Sequence, residues 1–313
     1  MGNEEIRIQI MNKIQLEDKI KGALVGLACG DAVGTTLEFI PRGVCEPITD
    51  MVGGGPFKLD AGQWTDDTSM ALCLAHSLAY CKGFDAADQM NRYCNWYQYG
   101  YMSSNGRCFD IGITVSTALR KYLETKNPFS GSVDEFSSGN GSIMRLAPIP
   151  IFYHNDYESC IKYAGDSSRT THGSAECIDS AKLFSSLIFN AFHAGGKLGI
   201  FKFNAYEPHC EKVSAIANFE FMFLDYDQII GSGYVIESLK AALWCFMNGS
   251  TFEECILLAA NLGDDADTTA AICGQIAGAY YGVSGIPEHW RNRITMGKEI
   301  EELALELFAC SHS

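Results

Sequence analysis

Apolar residues return at helical spacing in one stretch after another of this chain, and sustained alternation of β-branched residues is nearly absent. The spacing predicts helices over Ile20–Gly34, Thr68–Tyr80, Asp85–Tyr97, Ala175–Ala191, Val235–Phe246, Phe252–Leu262 and Met296–Ala309. Further helical runs pass through Val115, Leu119 and Leu123, and from Ala270 to Tyr281. Between them, residues 41–64 hold Pro41, Pro47, Gly53, Gly54, Gly55 and Pro56 and read as a loop. Gly100–Gly112 is rich in Gly and Ser, and Gly195–Gly233, with Phe221–Asp227 inside it, reads as a long surface excursion. The aromatic stripe Tyr93, Trp96 and Tyr97 reads as core. Gly22, Gly26 and Gly30, and again Gly274 and Gly278, stand four apart. On a helix that stacks them on one side and lets a second backbone approach closely. With no internal repeat and no low-complexity tract, the pattern predicts a single all-α domain over residues 20–313, preceded by a charged N-terminal extension over 1–19.

Two polar clusters interrupt this pattern where helices begin. Asn261–Thr269 packs Asp264, Asp265 and Asp267 into four residues just before an uncharged run. Trp64, Thr65, Asp66, Asp67 and Thr68 do the same ahead of Met70, Leu74 and Leu78. One such cluster is ordinarily a helix cap, because Asp and Thr satisfy the first free N–H groups and the dipole favours negative charge there. A second of the same design shifts the balance. Crowded carboxylates repel unless a cation lies between them or some hold protons, and in a first turn both Asp265 and Asp267 can aim at one point. The two acidic helix mouths are therefore expected to converge on one divalent cation or a pair.

Composition narrows the partners. Hydrophobic residues make up 47% of the 313, enough for a substantial core, while a net charge of −15 argues against a nucleic-acid surface. The thirteen cysteines form no C-x-x-C pair, and Cys73, Cys245 and Cys273 lie in apolar runs, which reads as reduced thiols in a cytoplasmic setting. Met1–Ile10 lacks the apolar core of a signal peptide, and the sixth position carries Ile6 rather than the Ser or Thr of a myristoylation signal. No run reads as long and apolar enough to span a bilayer.

Several catalytic motifs are missing from the sequence: there is no H-E-x-x-H, no G-x-S-x-G elbow, no Walker A loop and no full G-x-G-x-x-G after a strand. What remains is an oxygen-only donor set of Thr65, Asp66, Asp67, Asp265, Asp267 and Thr268, which suits magnesium or manganese better than zinc. Such ions would bind vicinal sugar hydroxyls and lower the pKa of a water for attack. The small residues Ser137, Ser138, Gly139, Asn140, Gly141 and Ser142 would let backbone N–H groups line an anion nest. Sugar at the metals and phosphate at the nest together suggest a nucleotide sugar. Asp31, Gly34 and Glu38 follow at the exit of the first helix, where a loop could turn polar groups into a cleft.

In that order along the chain, Gly26–Glu38, Gly62–Thr68, Gly139–Gly141 with Met144 and Arg145, Thr171–His172 and Asn261–Thr268 resemble the ADP-ribosylglycohydrolase family, which includes the dinitrogenase reductase activating glycohydrolase. The likeness extends from about residue 20 to residue 283. It implies a compact all-helical fold around a dinuclear centre of two Mg2+ or Mn2+ ions, held by Thr65, Asp66, Asp67, Asp265, Asp267 and Thr268. It implies catalytic roles for Asp66, Asp67, Asp267 and Glu38, the last on a mobile loop that covers or joins the metal site. Ser137, Ser138, Gly139, Asn140 and Gly141 match the loop around the diphosphate and ribose, His172 a ligand-contacting histidine, and Tyr234 a residue against the adenosine end. Cys108–Gly112 resembles the branch that acts on ADP-ribosyl-arginine, with Asp110 either holding the guanidinium or capping the following helix. Where the family usually has a second glycine this chain has Asp264, which either faces solvent or alters metal preference.

The activity implied is hydrolytic removal of ADP-ribose from modified protein side chains. Its expected partners are an ADP-ribosylated protein and the ADP-ribose product, with no nucleic acid or membrane, and the chain acting as a monomer. Two alternatives stand beside it: a hydrolase of the same fold acting on a serine, nucleobase or free ADP-ribose linkage, and a non-catalytic relative that only binds ADP-ribose.

Overall fold

The computed structural model describes the backbone of residues 3–203 and 205–310 and the side chains from Met11 onward, residue 204 excepted. The reading of Met1 and Gly2 as free of a lipid signal lies outside the described residues. In chain order the helices are α1 (Asn3–Gly34), α2 (Asp66–Cys81), α3 (Ala86–Tyr99), α4 (Ile113–Thr125), α5 (Pro148–Phe152), α6 (Tyr157–Arg169) and α7 (Ala175–His193). There follow α8 (Lys197–Lys202), α9 (Glu211–Ala217), α10 (Val235–Asn248), α11 (Phe252–Ala260), α12 (Ala266–Tyr281), α13 (Glu288–Arg293) and α14 (Gly297–Cys310). No strand forms among the described residues, only isolated bridges such as Ser132 with His172 and Gly139 with Tyr234. The all-α expectation holds.

The molecule is built on the antiparallel crossing of α1 and α12. A Cβ at Gly22 would lie 2.2 Å from the Gly278 carbonyl oxygen, at Gly26 2.3 Å from that of Gly274, and at Gly30 2.1 Å from that of Ala270. Each approach is closer than any side chain tolerates, so the glycine spacing fixes both the distance and the register of the two helices. In that register Gly34, at the end of α1, abuts Ala266, the first residue of α12, and the two polar helix ends coincide.

Two expectations need correction. The stretch Met11–Leu37 is long and apolar enough, by length and composition, to cross a membrane. Its apolar window is 89% buried inside the protein, so neighbouring helices already cover it. The helix α1 runs unbroken from Asn3 to Gly34. Finally, the excursion over Gly195–Gly233 carries α8 and α9 and buries Ile200, Phe201, Val213, Ile216 and Phe221. It is stapled down by Asp179 of α7, which accepts from the Tyr206 hydroxyl at 2.7 Å and from the N–H groups of His209 and Cys210 at 2.8 and 2.7 Å. Short helices give too few turns for a period to show. Helix α6 escapes the apolar pattern for another reason: its buried face is Cys160, Ala164, Gly165, Ser167 and Ser168, mostly small or polar.

Candidate functional site

The acidic clusters do converge. Thr65 and Asp265 occupy the N-cap positions of α2 and α12, yet neither side chain caps its helix. Thr65 instead turns toward the α1 and α12 ends. Its hydroxyl oxygen lies 2.9 Å from Asp31 Oδ1, 3.1 Å from Asp67 Oδ2 and 3.1 Å from Asp267 Oδ2. A hydroxyl has one hydrogen to give, so it can satisfy only one of those three carboxylates. Asp31 is the best served: it accepts from Thr65 N–H at 2.8 Å, Thr68 N–H at 3.0 Å and Thr68 Oγ1 at 2.6 Å as well. Glu38 Oε2 accepts from the first N–H groups of α12, Ala266 at 2.9 Å and Asp267 at 3.4 Å. Asp265 Oδ2 accepts from Asn140 Nδ2 at 2.8 Å, and Thr268 Oγ1 lies 3.5 Å from Asp67 Oδ2.

Two groups of carboxylate oxygens lie within 4.8 Å of one another: Asp31, Asp67 and Asp267, and Glu38, Asp265 and Asp267. Asp267 belongs to both. The donor chemistry fits a hard divalent cation on three counts. Asp67 Oδ1 is buried and has no hydrogen-bond partner. The adjoining cavity, of 960 Å³, is lined by Glu38, Asp66, Asp110, Asp264, Asp265 and Asp267 with no Lys or Arg. And without added positive charge the carboxyls are driven toward protonation. Burial, reinforced by Asp267, raises Asp31 and Asp265 each to about 7 and Asp110 to about 10. Burial likewise raises Glu38, with Asp267 adding to it, and it raises Asp66 and Asp67, with Asp110 and Asp31 as their respective leading neighbours. Cations between such groups remove the cause of the shift.

Around this centre the remaining expected residues take distinct places. Asp66 joins neither carboxylate group and faces the cavity. Asp110 lines the cavity at φ +61°, and Gly112, not Asp110, occupies the N-cap of α4, so the capping alternative falls away. Asp264 is exposed at the cavity edge with φ +57°, a left-handed backbone where glycine is at ease. Gly139, Asn140 and Gly141 line the same cavity. Much of the expected nest is used internally: the N–H groups of Ser137, Ser138 and Asn140 donate to Asp134, Glu135 and Gly233 carbonyls. The Ser138 hydroxyl is likewise turned to the Glu135 carbonyl and Ser174.

His172 is neither cap nor surface residue. It is 2% exposed, and Ser174 caps α7. Its ring lies under the small-residue loop, where a Cβ on Gly141 would come within 2.6 Å of Cε1. Burial and the neighbouring Arg145 lower its pKa to about 3, so it is a neutral imidazole at physiological pH. Thr171 Oγ1 meets its Nδ1 at 2.9 Å and accepts from Arg145 at 2.7 Å. Tyr234 walls a second cavity of 660 Å³ with Phe136, Ser137, Ser138 and Lys212, and its hydroxyl donates to Glu176 at 2.6 Å and accepts from Lys212 at 2.7 Å. The two cavities share Thr114, Gly139 and Gly233.

Two members of the carboxylate groups are not among the metal ligands expected from the sequence, Asp31 and Glu38. A lone Asp inside the glycine-spaced, wholly buried part of α1 is the signal for the first; the second is expected to cover or join the metal site from the family likeness alone.

The chain is similar to known proteins over most of its length. A model of the ADP-ribosylglycohydrolase family matches residues 12–312. The ADP-ribosylarginine hydrolase Tri1 of Pseudomonas putida is 45% identical over 94% of this chain and 79% of its own length. The ADP-ribosyl-[dinitrogen reductase] glycohydrolase of Rhodospirillum rubrum is 31% identical over 91% of this chain and 93% of its own. A solved chain described as an ADP-ribosylglycohydrolase-related protein complex superposes with a TM-score of 0.84 at 39% identity, covering 95% of this chain and 99% of that one. With the carboxylate centre at the meeting of α1, α2 and α12 and a family match over nearly its whole length, this chain belongs to the ADP-ribosylglycohydrolase family.

Proposed function

We propose that this protein hydrolyses the bond between ADP-ribose and the arginine side chain of a modified protein, with two divalent ions, Mg2+ or Mn2+, held by the two carboxylate groups. The observation that carries the reading is Asp267 standing in both carboxylate groups in a chain 45% identical to an ADP-ribosylarginine hydrolase. When bound, the ions supply positive charge that orients the ribose hydroxyls and polarises the reacting centre. Asp31, Asp67 and Asp267 would hold one ion and Glu38, Asp265 and Asp267 the other, while the Thr65 and Thr268 hydroxyls and the Asn140 amide fix the carboxylates. Asp66, facing the cavity, takes the proton of the attacking water, whose oxygen joins the anomeric carbon as the bond to the guanidine nitrogen breaks. The proton that Asp66 collects passes on to the departing guanidine nitrogen, Glu38 assists that transfer from its place beside Asp267, and Asp110 holds the guanidinium. The unpaired state of all thirteen cysteines, Cys45 being exposed, supports a reducing, cytoplasmic setting.

Release of ADP-ribose is measured from arginine-, serine- and nucleobase-linked conjugates after chelation, with and without added Mg2+ or Mn2+. The arginine conjugate is cleaved in a metal-dependent way, and Asp66→Asn and Asp267→Asn each cost on the order of 100-fold in rate. Cleavage of the serine conjugate with the arginine conjugate untouched would contradict the assignment, as would full activity in either variant.

A further inference from the structure

The carboxylate cavity has two ends. One opens past Thr114, Gly139 and Gly233 into the cavity walled by Tyr234. The other is bounded by Phe39, Phe57 and Asp264, and Phe57 is shared with a third cavity of 230 Å³ lined by Asn105, Arg107, Cys108 and Phe109. No residue lines both the Tyr234 cavity and this third one. On the reading above, the nucleotide occupies the Tyr234 end and its ribose the carboxylates, so the group attached at the anomeric carbon leaves toward Phe57.

That exit is an aromatic ledge. The Phe39 and Phe57 ring centroids are 6.2 Å apart, and those of Phe57 and Phe109 5.3 Å. Phe39 is 64% exposed, so its ring contributes little to the core. Its backbone is nonetheless held in place, at φ +61° with the N–H donating to the Asp264 carbonyl at 2.7 Å. A bulky residue in that left-handed region is strained, and such strain collects where a side chain must be presented. Glu38, Asp110 and Asp264 line the inner edge with carboxyl groups. At the outer edge the exposed Arg107 guanidinium makes no ion pair among the described residues.

We propose that this ledge docks the arginine-bearing segment of the modified protein, a proposal that rests on the arginine reading of the preceding section. The guanidinium lies against the Phe57 and Phe39 faces, where a cation is attracted by the ring quadrupole and by the carboxylates beside it. An acidic residue flanking the modified arginine meets Arg107, and the apolar part of the segment covers Phe109. The ledge thus selects the protein acceptor, while the Tyr234 cavity takes the part common to every ADP-ribosyl conjugate.

Binding is measured by calorimetry in an Asp66→Asn background with Mg2+ present. The titrants are ADP-ribose alone and an ADP-ribosyl-arginine peptide with an acidic residue beside the arginine. The peptide binds about tenfold tighter than ADP-ribose, the scale of one cation–π contact and one screened ion pair. Phe109→Ala and Arg107→Glu each shrink that advantage while leaving the affinity for ADP-ribose unchanged, which also reports that the variants fold. Equal affinities for the two titrants, or an advantage that survives both substitutions, overturns the ledge. A peptide advantage lost in both variants, in a protein whose wild type releases no ADP-ribose from arginine, sustains the ledge and overturns the hydrolase reading instead.

Discussion

Asp31 shows how much of the centre depends on a single carboxylate. Four donors of Thr65 and Thr68 end on it, so Asp31→Ala would leave buried N–H and O–H groups unpaired. The variant is expected to lose on the order of 3 kcal/mol of stability and, because Thr65 loses its anchor, at least about tenfold in metal affinity. Thermal unfolding and calorimetry check both; a variant with wild-type metal affinity would remove Asp31 from the centre. The raised carboxyls make a second prediction. A carboxyl whose pKa is higher folded than unfolded binds the proton more tightly in the folded state, so its contribution is full below the ordinary value of 3.8 and is lost as pH rises to about 7 for Asp31 and Asp265 and on to about 10 for Asp110. Chelated protein should therefore melt lower at pH 8 than at pH 5, and Mg2+ should raise the melting temperature more at pH 8. A chelated protein that gains stability over that interval would contradict the electrostatic picture. At this scale the sequence showed which residue types gather but not how each one points. Asp66 and Asp67 are neighbours on a helix, about 100° apart, so one faces the cavity while the other turns inward.

At the scale of elements, the glycine-spaced crossing of α1 and α12 sets the carboxylate centre. Gly26→Ala would place a methyl 2.3 Å from the Gly274 carbonyl oxygen, with rigid backbone on the other side. The helices must part, at a cost of about 1–3 kcal/mol or more, and Asp31 is drawn away from Asp267. The expected result is a lower melting temperature together with weaker Mn2+ binding, measured on the same sample. Unchanged binding at reduced stability would show that the crossing supports the fold but does not set the site. This element was legible in advance because glycines at helical spacing have few other uses. Helix α6 was not, since its inward face is mostly small or polar, and α8 and α9 were not, since neither is long enough to show a period. The two helix mouths were legible as acidic clusters; the rest of the centre came from a register that only the packed helices define.

Across the whole molecule, three cavities adjoin through shared lining residues, the carboxylates in the middle one. Loops far apart in sequence are tied to make that arrangement: Gly139 pairs with Tyr234, Ser132 with His172 and Pro41 with Gly263. The first of these pairings fastens the Tyr234 cavity to the metal cavity, and the last fastens Glu38 and Phe39 to the start of α12. Such long-range ties leave almost no trace in hydrophobic periodicity, which is why the family likeness, and not the pattern, carried Tyr234 and His172 to their places. The central claim is that the mouths of α2 and α12 jointly hold divalent ions. Anomalous scattering from crystals of the protein grown with Mn2+ tests it most directly. Two peaks are expected, one among Asp31, Asp67 and Asp267 and the other among Glu38, Asp265 and Asp267. Manganese absent from both positions, or bound only elsewhere on the molecule, would contradict it.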